Sequence, residues 1–226
     1  MQQNIHGGDI YSRPVRLDFS VNGNPLGMPA EARLSLLAAI NHVGEYPDAA
    51  AGELTETVSH MLSVQSGREI PKEYLLFGNG ASELFLAVVH ALKPRNIVIP
   101  VPSFYGYEYV AEAAGSYIKY VYLPEETGFR PGRELLQELT ADTDMLFVAN
   151  PNNPTGNFNP RAAMEKIIRN VECPVIMDEA YMEFAVEEGK MEELSTLDLV
   201  NEVDNLLVLK TFSKAYGLAN LRIGYG

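Results

Sequence analysis

Short apolar runs alternate with longer amphipathic segments along most of the chain. The apolar runs predict strands near 75–78, 96–101, 117–122, 145–149, 174–178 and 205–210. Between them, apolar residues recur at helical spacing and predict helices near 29–42, 52–65, 81–93, 105–115, 131–140, 159–170 and 195–201. Strands that alternate with helices favour a mainly parallel sheet that is covered by helices on both faces. The expected fold class is therefore α/β.

The start of the chain shows neither pattern. Residues 1–30 are rich in Gly, Pro and Asn, and we expect them to form an arm that another surface must order. The remaining residues, 31–226, are enough for one large α/β domain. A hydrophobic content of 46% is ordinary for such a domain.

Composition excludes several classes of partner. A net charge of −13 disfavours nucleic acid and anionic membrane surfaces. No apolar run reaches the roughly 20 residues of a membrane helix, and the first ten residues are too polar for a signal peptide. A single cysteine, Cys173, excludes an internal disulfide and suits a cytoplasmic protein. The four histidines lack the spacing of metal ligands, so we expect no metal site.

A lysine follows the last predicted strand and is the first candidate for chemistry. Lys214 lies just beyond the apolar run 206–209. A lysine amine held in a dry pocket can attack a carbonyl and form a Schiff base. Thr211, Ser213 and Arg222 add two hydroxyls and a guanidinium nearby, which suit a phosphate. A phosphorylated aldehyde held by a lysine describes pyridoxal 5'-phosphate (PLP), the expected cofactor.

An aspartate stands at the carboxyl end of the preceding predicted strand. Ligands of open α/β sheets bind at this edge, so Asp178 is placed to meet the cofactor. A carboxylate there can hold the pyridine nitrogen of PLP protonated, which makes the ring an electron sink. Tyr181, three residues later, can hydrogen-bond the phenolic oxygen of the ring.

A glycine-containing loop joins the first predicted strand to a helix. The backbone N–H groups of Gly80, Ala81 and Ser82, together with the helix dipole, suit a phosphate. The loop lacks the Lys-Ser/Thr ending of a nucleotide P-loop and does not read G-x-G-x-x-G. A nicotinamide cofactor is therefore disfavoured.

Three segments in this order resemble the class I and II PLP-dependent aminotransferases of fold type I. They are Asn150-Pro-Asn-Asn-Pro-Thr-Gly156, Asp178-x-x-Tyr181, and Ser213-Lys214 followed by Arg222. Leu221 stands where the family usually has glycine. The resemblance implies the large domain of this fold, an enzyme that acts on a small molecule, and catalytic roles for Lys214, Asp178 and Tyr181. It also implies that Asn153 donates to the same phenolic oxygen as Tyr181.

Two aromatic residues gain roles from the same resemblance. Phe104 matches the aromatic residue that stacks on the PLP ring, with Tyr105 as a substitute. Tyr46 matches a tyrosine that reaches the PLP phosphate of the neighbouring subunit. The resemblance thus implies a homodimer with shared active sites.

The N-terminal segment distinguishes between members of the family. His6-Gly7-Gly8, followed by Asp18-Phe-Ser-Val-Asn-Gly-Asn24-Pro-Leu-Gly27, resembles the threonine-phosphate decarboxylases of cobalamin synthesis. In that interpretation His6 and Asn24 contact a substrate phosphate or carboxylate. The alternative is a histidinol-phosphate-type aminotransferase that uses 2-oxoglutarate and glutamate. A non-catalytic regulator of the same fold is a remote alternative, because no basic DNA-binding domain precedes the PLP domain.

The resemblance extends to Gly226, whereas family members continue beyond that point. The further part carries the last strand of the large domain and a small C-terminal domain with the arginine that binds the substrate carboxylate. We expect both to be absent from this chain. A chain of 226 residues without them should bind PLP weakly and turn over poorly alone.

Overall fold

A central sheet organises the part of the chain that the structure describes. The computed structural model describes residues 14–186 and 191–226, without the side chain of Glu192. These residues form a seven-stranded sheet in the order β1-β7-β6-β5-β4-β2-β3. Its strands are β1 (Phe77–Asn79), β2 (Asn96–Val101), β3 (Tyr117–Tyr122), β4 (Met145–Ala149), β5 (Val175–Asp178), β6 (Leu206–Thr211) and β7 (Ile223–Tyr225).

The sheet is mainly parallel, as predicted. Strands β3, β2, β4, β5 and β6 pair in parallel. Only β7 is antiparallel to its neighbours β1 and β6 among the described strands. The six predicted strands lie within two residues of their expected bounds.

Helices cover the sheet and largely follow the predicted segments. They are α1 (Ala30–Ala39), α2 (Gly52–Ser66), α3 (Ala81–Leu92), α4 (Tyr105–Ala114), α5 (Arg133–Glu138), α6 (Arg161–Arg169), α7 (Met182–Ala185) and α8 (Met191–Leu194). The segment predicted near 195–201 is a 3-10 helix over Leu197–Asn201. The single turns α7 and α8 are too short to show a helical period, and the sequence did not predict them. In the described ranges no helix has the length and apolarity to cross a membrane.

Strand β7 is one that the sequence analysis did not predict. It follows the lysine segment and pairs with β1 and β6, and the expectation that the last strand of the large domain lies beyond Gly226 stays a prediction. Three residues with a central glycine are too few to show the alternation that predicts a strand. The glycine is required by packing, because a Cβ on Gly224 would lie 2.4 Å from the nitrogen of Ala81.

The core lies on both faces of the sheet. Ile97, Phe147 and Ile176 pack in the cluster on one face. Val148 and Met177, which neighbour them along the strands, pack in the cluster on the other face. Central strands that are buried on both faces read as continuous apolar runs. Polar groups that serve chemistry are consequently found at the strand ends.

The N-terminal part of the described chain is packed quite differently. Residues 14–29 contain no helix or strand, and α1 has no buried residue. Phe19 is 88% exposed and Leu26 is 91% exposed. The division into an arm over 1–30 and a domain over 31–226 stays a prediction.

Candidate active site

A cavity of about 650 Å³ opens at the carboxyl edge of the parallel strands. It is bounded by the segments that follow β2, β4, β5 and β6 and by the first turn of α3. Parallel strands bring their carboxyl ends to one edge, which explains why distant motifs meet there. Ten residues predicted to hold the cofactor line it: Ala81, Ser82, Phe104, Asn153, Asp178, Tyr181, Thr211, Ser213, Lys214 and Arg222.

The lysine lies on a tight turn after β6. The main-chain nitrogen of Gly217 donates to the carbonyl of Lys214 at 3.1 Å, and Leu218 donates to the carbonyl of Phe212 at 3.2 Å. The Nζ atom of Lys214 lies 5.5 Å from the ring centroid of Tyr181. Lys214 and Tyr181, which are both predicted to contact the cofactor, are therefore neighbours in the cavity.

Asp178 is a buried carboxylate at the end of β5 with fixed partners. Its Oδ1 accepts from the main-chain nitrogen of Ala180 at 2.9 Å, and its Oδ2 accepts from the hydroxyl of Tyr107 at 2.6 Å. Burial raises the pKa of Asp178, helped by the charge of Glu179, while the two hydrogen bonds and Lys214 act in the opposite direction. A cationic group that enters the cavity would favour the ionised carboxylate.

Tyr107 is a site residue that the sequence analysis missed. It is 1% exposed, stacks on Phe147 at 4.9 Å between ring centroids, and donates its hydroxyl to Asp178. Burial, and then the charge of Asp178, raise the pKa of Tyr107 well above its ordinary value, so it remains a donor. A tyrosine at an apolar helix position needs a partner for its hydroxyl. That requirement is the signal by which the sequence could have pointed to it.

One corner of the cavity is rich in donors for an anion. Arg222 donates from Nη1 to the hydroxyl of Ser213 at 3.3 Å, and the start of α3 supplies Ala81 and Ser82. The hydroxyl of Thr211 lies 2.9 Å from that of Ser213 and 3.0 Å from the carbonyl of Ile223. Thr211 thus organises the turn that presents Ser213 and Arg222.

Gly80 belongs to this corner through packing, although it does not line the cavity. Its φ of +79° falls in the left-handed region that glycine tolerates. A Cβ built on it would lie 2.4 Å from Nη2 of Arg222. The guanidinium occupies the space that any other residue would fill, so Gly80 permits the placement of Arg222.

The loop after β4 is held in shape by amide side chains. Asn150 exchanges two hydrogen bonds with the main chain of Asn159, at 3.1 and 2.9 Å. Asn152 donates to the carbonyl of Pro102 and to the hydroxyl of Thr155, both at 2.9 Å. These contacts hold the loop while Asn153 lines the cavity.

Two aromatic residues form another wall. Phe104 contacts Tyr105 edge to face, with 4.8 Å between ring centroids, and both line the cavity. A Cβ on Gly106 would lie 2.3 Å from the Phe104 ring, so that ring packs over a residue without a side chain. The geometry admits Phe104 or Tyr105 as the stacking residue.

Comparison with known proteins places this arrangement in a family. The aminotransferase class I and II family matches residues 15–226. The chain belongs to this family. The family and the fold class predicted from the sequence are therefore confirmed.

Individual relatives of this aminotransferase family refine the comparison. The chain is 39% identical over 217 residues to histidinol-phosphate aminotransferase 1 of Cupriavidus pinatubonensis, covering 90% of this chain and 52% of that protein. It superposes with a TM-score of 0.77 and 26% identity on the histidinol-phosphate aminotransferase of Clostridium acetobutylicum, covering 92% and 59% of the two chains. The L-threonine-O-3-phosphate decarboxylase of Porphyromonas gingivalis shares the fold, with a TM-score of 0.75 and 23% identity over 91% and 57% of the two chains. The chain spans about half the length of the curated relatives it matches.

Two asparagines of the N-terminal segment, Asn22 and Asn24, make different contacts at the active site of this aminotransferase-family chain. Asn22, which the sequence analysis did not single out, lines the cavity, and its Nδ2 lies 3.4 Å from the hydroxyl of Tyr181. Asn24, which it did single out, donates to the carbonyl of Ala215 at 2.6 Å and accepts from the nitrogen of Leu26. Asn24 thereby ties the arm to the lysine turn, and its substrate role stays a prediction.

Two further predicted residues lie elsewhere. His6 lies outside the described residues. Tyr46 is fully exposed in the single chain and does not line the cavity. Its predicted role concerns a second subunit, so it also stays a prediction.

The donor set of the cavity fits PLP. A buried carboxylate, a lysine amine and an anion corner with a guanidinium match the pyridine nitrogen, aldehyde and phosphate of that cofactor. The space at Gly80 that a Cβ would fill lets the guanidinium approach the start of α3. Across 14–186 and 191–226, no group of three or more His, Cys, Asp or Glu residues is placed to hold a metal ion.

Proposed function

We propose that the protein is a PLP-dependent aminotransferase acting on a small phosphorylated amine of the histidinol-phosphate type, with 2-oxoglutarate as acceptor. The observation that carries this proposal is the convergence of Lys214, Asp178 and Tyr181 on one cavity beside an anion corner. Curated relatives at 34% to 39% identity that carry the name histidinol-phosphate aminotransferase favour transamination over decarboxylation.

Asp178 and its partners would hold the ring end of the cofactor. When bound, PLP supplies an electron sink for the carbon that bears the substrate amine. Asp178 would accept a hydrogen bond from the protonated pyridine nitrogen at a carboxylate oxygen, while Tyr107 and the main chain of Ala180 fix its orientation. Burial raises the pKa of this carboxyl, and a protonated nitrogen beside it would lower that pKa.

Lys214 has two tasks in this proposal. Its Nζ would attach the cofactor and, once released by the substrate amine, would remove the proton from the substrate α-carbon as a general base and then, as a general acid, give it to the carbon of the cofactor that had formed the imine. The ring of Tyr181, 5.5 Å away, keeps the amine near that position. Tyr181 and Asn153 would donate to the phenolic oxygen.

The anion corner would hold the cofactor phosphate. Arg222 offers a planar guanidinium, Ser213 a hydroxyl, and the first turn of α3 the main-chain groups of Ala81 and Ser82. The N-terminal segment around Asn22 borders the cavity and would contact the substrate rather than the cofactor.

A homodimer in the cytoplasm is part of the same proposal. Large apolar side chains between residues 17 and 43 are exposed in the single chain, and Tyr46 contacts no part of the cavity. A second copy of the chain would cover these side chains and receive Tyr46 at its own phosphate corner.

Threonine-phosphate decarboxylation is the second candidate, and one observation favours it. The segments His6-Gly7-Gly8 and 18–27 resemble that group more than the transaminases. The two reactions diverge in which bond of the substrate α-carbon stands perpendicular to the PLP plane, the bond to hydrogen or the bond to the carboxylate.

Two incubations of the protein in its full length, purified and loaded with PLP, separate these candidates. Histidinol phosphate with 2-oxoglutarate should yield glutamate, and threonine phosphate should yield no carbon dioxide. The Lys214→Ala variant, treated identically, is the control for both. Carbon dioxide without glutamate would replace the proposal by the second candidate, and neither product would refute both.

A further inference from the structure

A buried lysine lies behind the cavity, on the opposite face of β6. Lys210 immediately precedes Thr211, and successive side chains of a strand point to opposite faces. Thr211 lines the cavity, whereas Val208, two residues before Lys210, packs in the core on the far face. Lys210 is 1% exposed, so its ammonium is enclosed by the protein.

Two carboxylates meet this ammonium. Its Nζ lies 2.8 Å from Oε1 of Glu183 and 3.5 Å from Oε2 of Glu179. Burial alone would lower the pKa of Lys210, but the charges of Glu183 and Glu179 outweigh it and raise the pKa. Tyr216 and Tyr225 also face the cluster, and burial raises the pKa of both, so they remain neutral. The cluster thus brings one basic and two acidic side chains together.

Glu179 fixes one end of a short segment. Its carboxylate accepts from the hydroxyl of Ser195 at 2.5 Å and from the nitrogen and hydroxyl of Thr196 at 2.8 and 3.0 Å. Its own main-chain nitrogen donates to the carbonyl of Leu209 at 2.8 Å. Glu183, on α7, fixes the other end of the segment through its ion pair with Lys210.

Two residues beside or between these anchors line the cavity and would contact the cofactor. Asp178 directly precedes Glu179, and Tyr181 lies midway between Glu179 and Glu183. We propose that Lys210 is a positioning residue that clamps segment 178–183 from behind the sheet and so sets where the Tyr181 hydroxyl stands in the cavity. That the position of the Tyr181 hydroxyl affects the cofactor rests on the proposed function, whereas the contacts of Lys210 with Glu179 and Glu183 do not.

Local hydrogen exchange tests the clamp without any cofactor. Lys210→Met leaves two buried carboxylates without their counter-ion, which is costly and should loosen the residues that carry them. We expect faster amide exchange in a peptide spanning 179–186, with the central strands unchanged. Lys119→Met, which removes an exposed ion pair with Glu138, is the matched control and should alter neither. A uniform acceleration over the whole sheet would mean a general loss of stability and would overturn the proposal.

The spectrum of the lysine-bound cofactor tests the effect on the site. A donor to the phenolic oxygen lowers the basicity of the attached imine, so a displaced Tyr181 should raise the pH midpoint of its absorbance change. Tyr181→Phe should raise it most and Lys210→Met less. In the Tyr181→Phe background, Lys210→Met should add no further shift, because both act through one hydroxyl. An additive shift, or no shift in Lys210→Met, would overturn the positioning role.

Two more variants keep the test decisive if Lys210→Met does not fold. Glu183→Gln leaves one ammonium and one carboxylate, a neutral pair that should fold, and it should still raise the midpoint because one end of the clamp is weakened. Lys210→Arg keeps the charge and should restore the native midpoint. An unmoved midpoint in Glu183→Gln would overturn the proposal. Absence of any absorbance from bound PLP in the native full-length protein would instead refute the proposed function and leave the exchange result standing.

Discussion

The carboxyl edge of the sheet and the N-terminal residues 14–51 differ in which side chains they bury. At the sheet edge, polar side chains are buried and have partners within the chain, as Asp178 does with Tyr107. In the N-terminal residues, apolar side chains are exposed, and α1 buries none of its residues. The buried polar groups of the first region find their partners within a single chain. The second has a surface that only another surface could cover.

The largest expected effect comes from the sheet edge. Lys214→Ala should abolish covalent attachment of PLP, because Lys214 is the lysine that lines the cavity. Borohydride reduction followed by peptide mapping measures the attachment. Lys119→Ala, an exposed lysine paired with Glu138, should retain it. An adduct on any lysine other than Lys214 would show that the site has been assigned to the wrong region.

The next effect tests the N-terminal residues 14–51. Leu34 and Leu37 of α1 are 68% and 57% exposed in the single chain. If a second copy buries them, replacing both by Glu removes about 2 kcal/mol of burial each and adds a charge to the interface. Sedimentation equilibrium should then show monomer where the native protein is a dimer. Val64→Glu, on an equally exposed residue of α2, should leave the dimer intact. A native protein that is already monomeric would contradict the prediction that a second copy of the chain covers α1.

A smaller effect is expected from the carboxylate. Asp178→Asn keeps the shape but cannot hold the pyridine nitrogen protonated, and should cost about 3 kcal/mol of transition-state stabilisation. The measurement is kcat/KM with the fold checked by circular dichroism. Asp144→Asn is the control, because Asp144 also accepts two hydrogen bonds, both from main-chain nitrogens, but does not line the cavity. Equal kcat/KM in the two variants would remove Asp178 from the mechanism.

The smallest effect depends on pH. The Tyr107 hydroxyl lowers the pKa of Asp178, so Tyr107→Phe should raise that pKa further. Loss of this hydrogen bond disfavours the ionised carboxylate relative to the protonated carboxyl. PLP affinity should therefore weaken at acidic pH, and its acidic limb should move to higher pH, with little change at alkaline pH. Tyr120→Phe, which removes a surface hydrogen bond to Glu108, should leave the profile in place. An unmoved profile in Tyr107→Phe would mean that Tyr107 does not control the carboxylate.

The same contrast explains what the sequence could predict. Residues such as Lys214 and Asp178 follow buried strands, so pattern and motif together located them. Tyr107 was not predicted as a site residue because its role depends on a hydrogen-bond partner that lies 71 residues away in the sequence. Asn22 and Asn24 share a motif, and only the fold shows that the first lines the cavity while the second holds the main chain. Strand β7 escaped because three residues are too few for a period.

The contact between Gly80 and Arg222 links two positions that are 142 residues apart in the sequence. A side chain at position 80 and a guanidinium from position 222 compete for the same volume. Evolution can therefore not alter the two independently: a larger residue at 80 is tolerable only with a shorter or redirected one at 222. Among homologues, we expect non-glycine residues at the first position to coincide with loss of arginine at the second. Such paired changes would mark members that have given up this way of holding a phosphate.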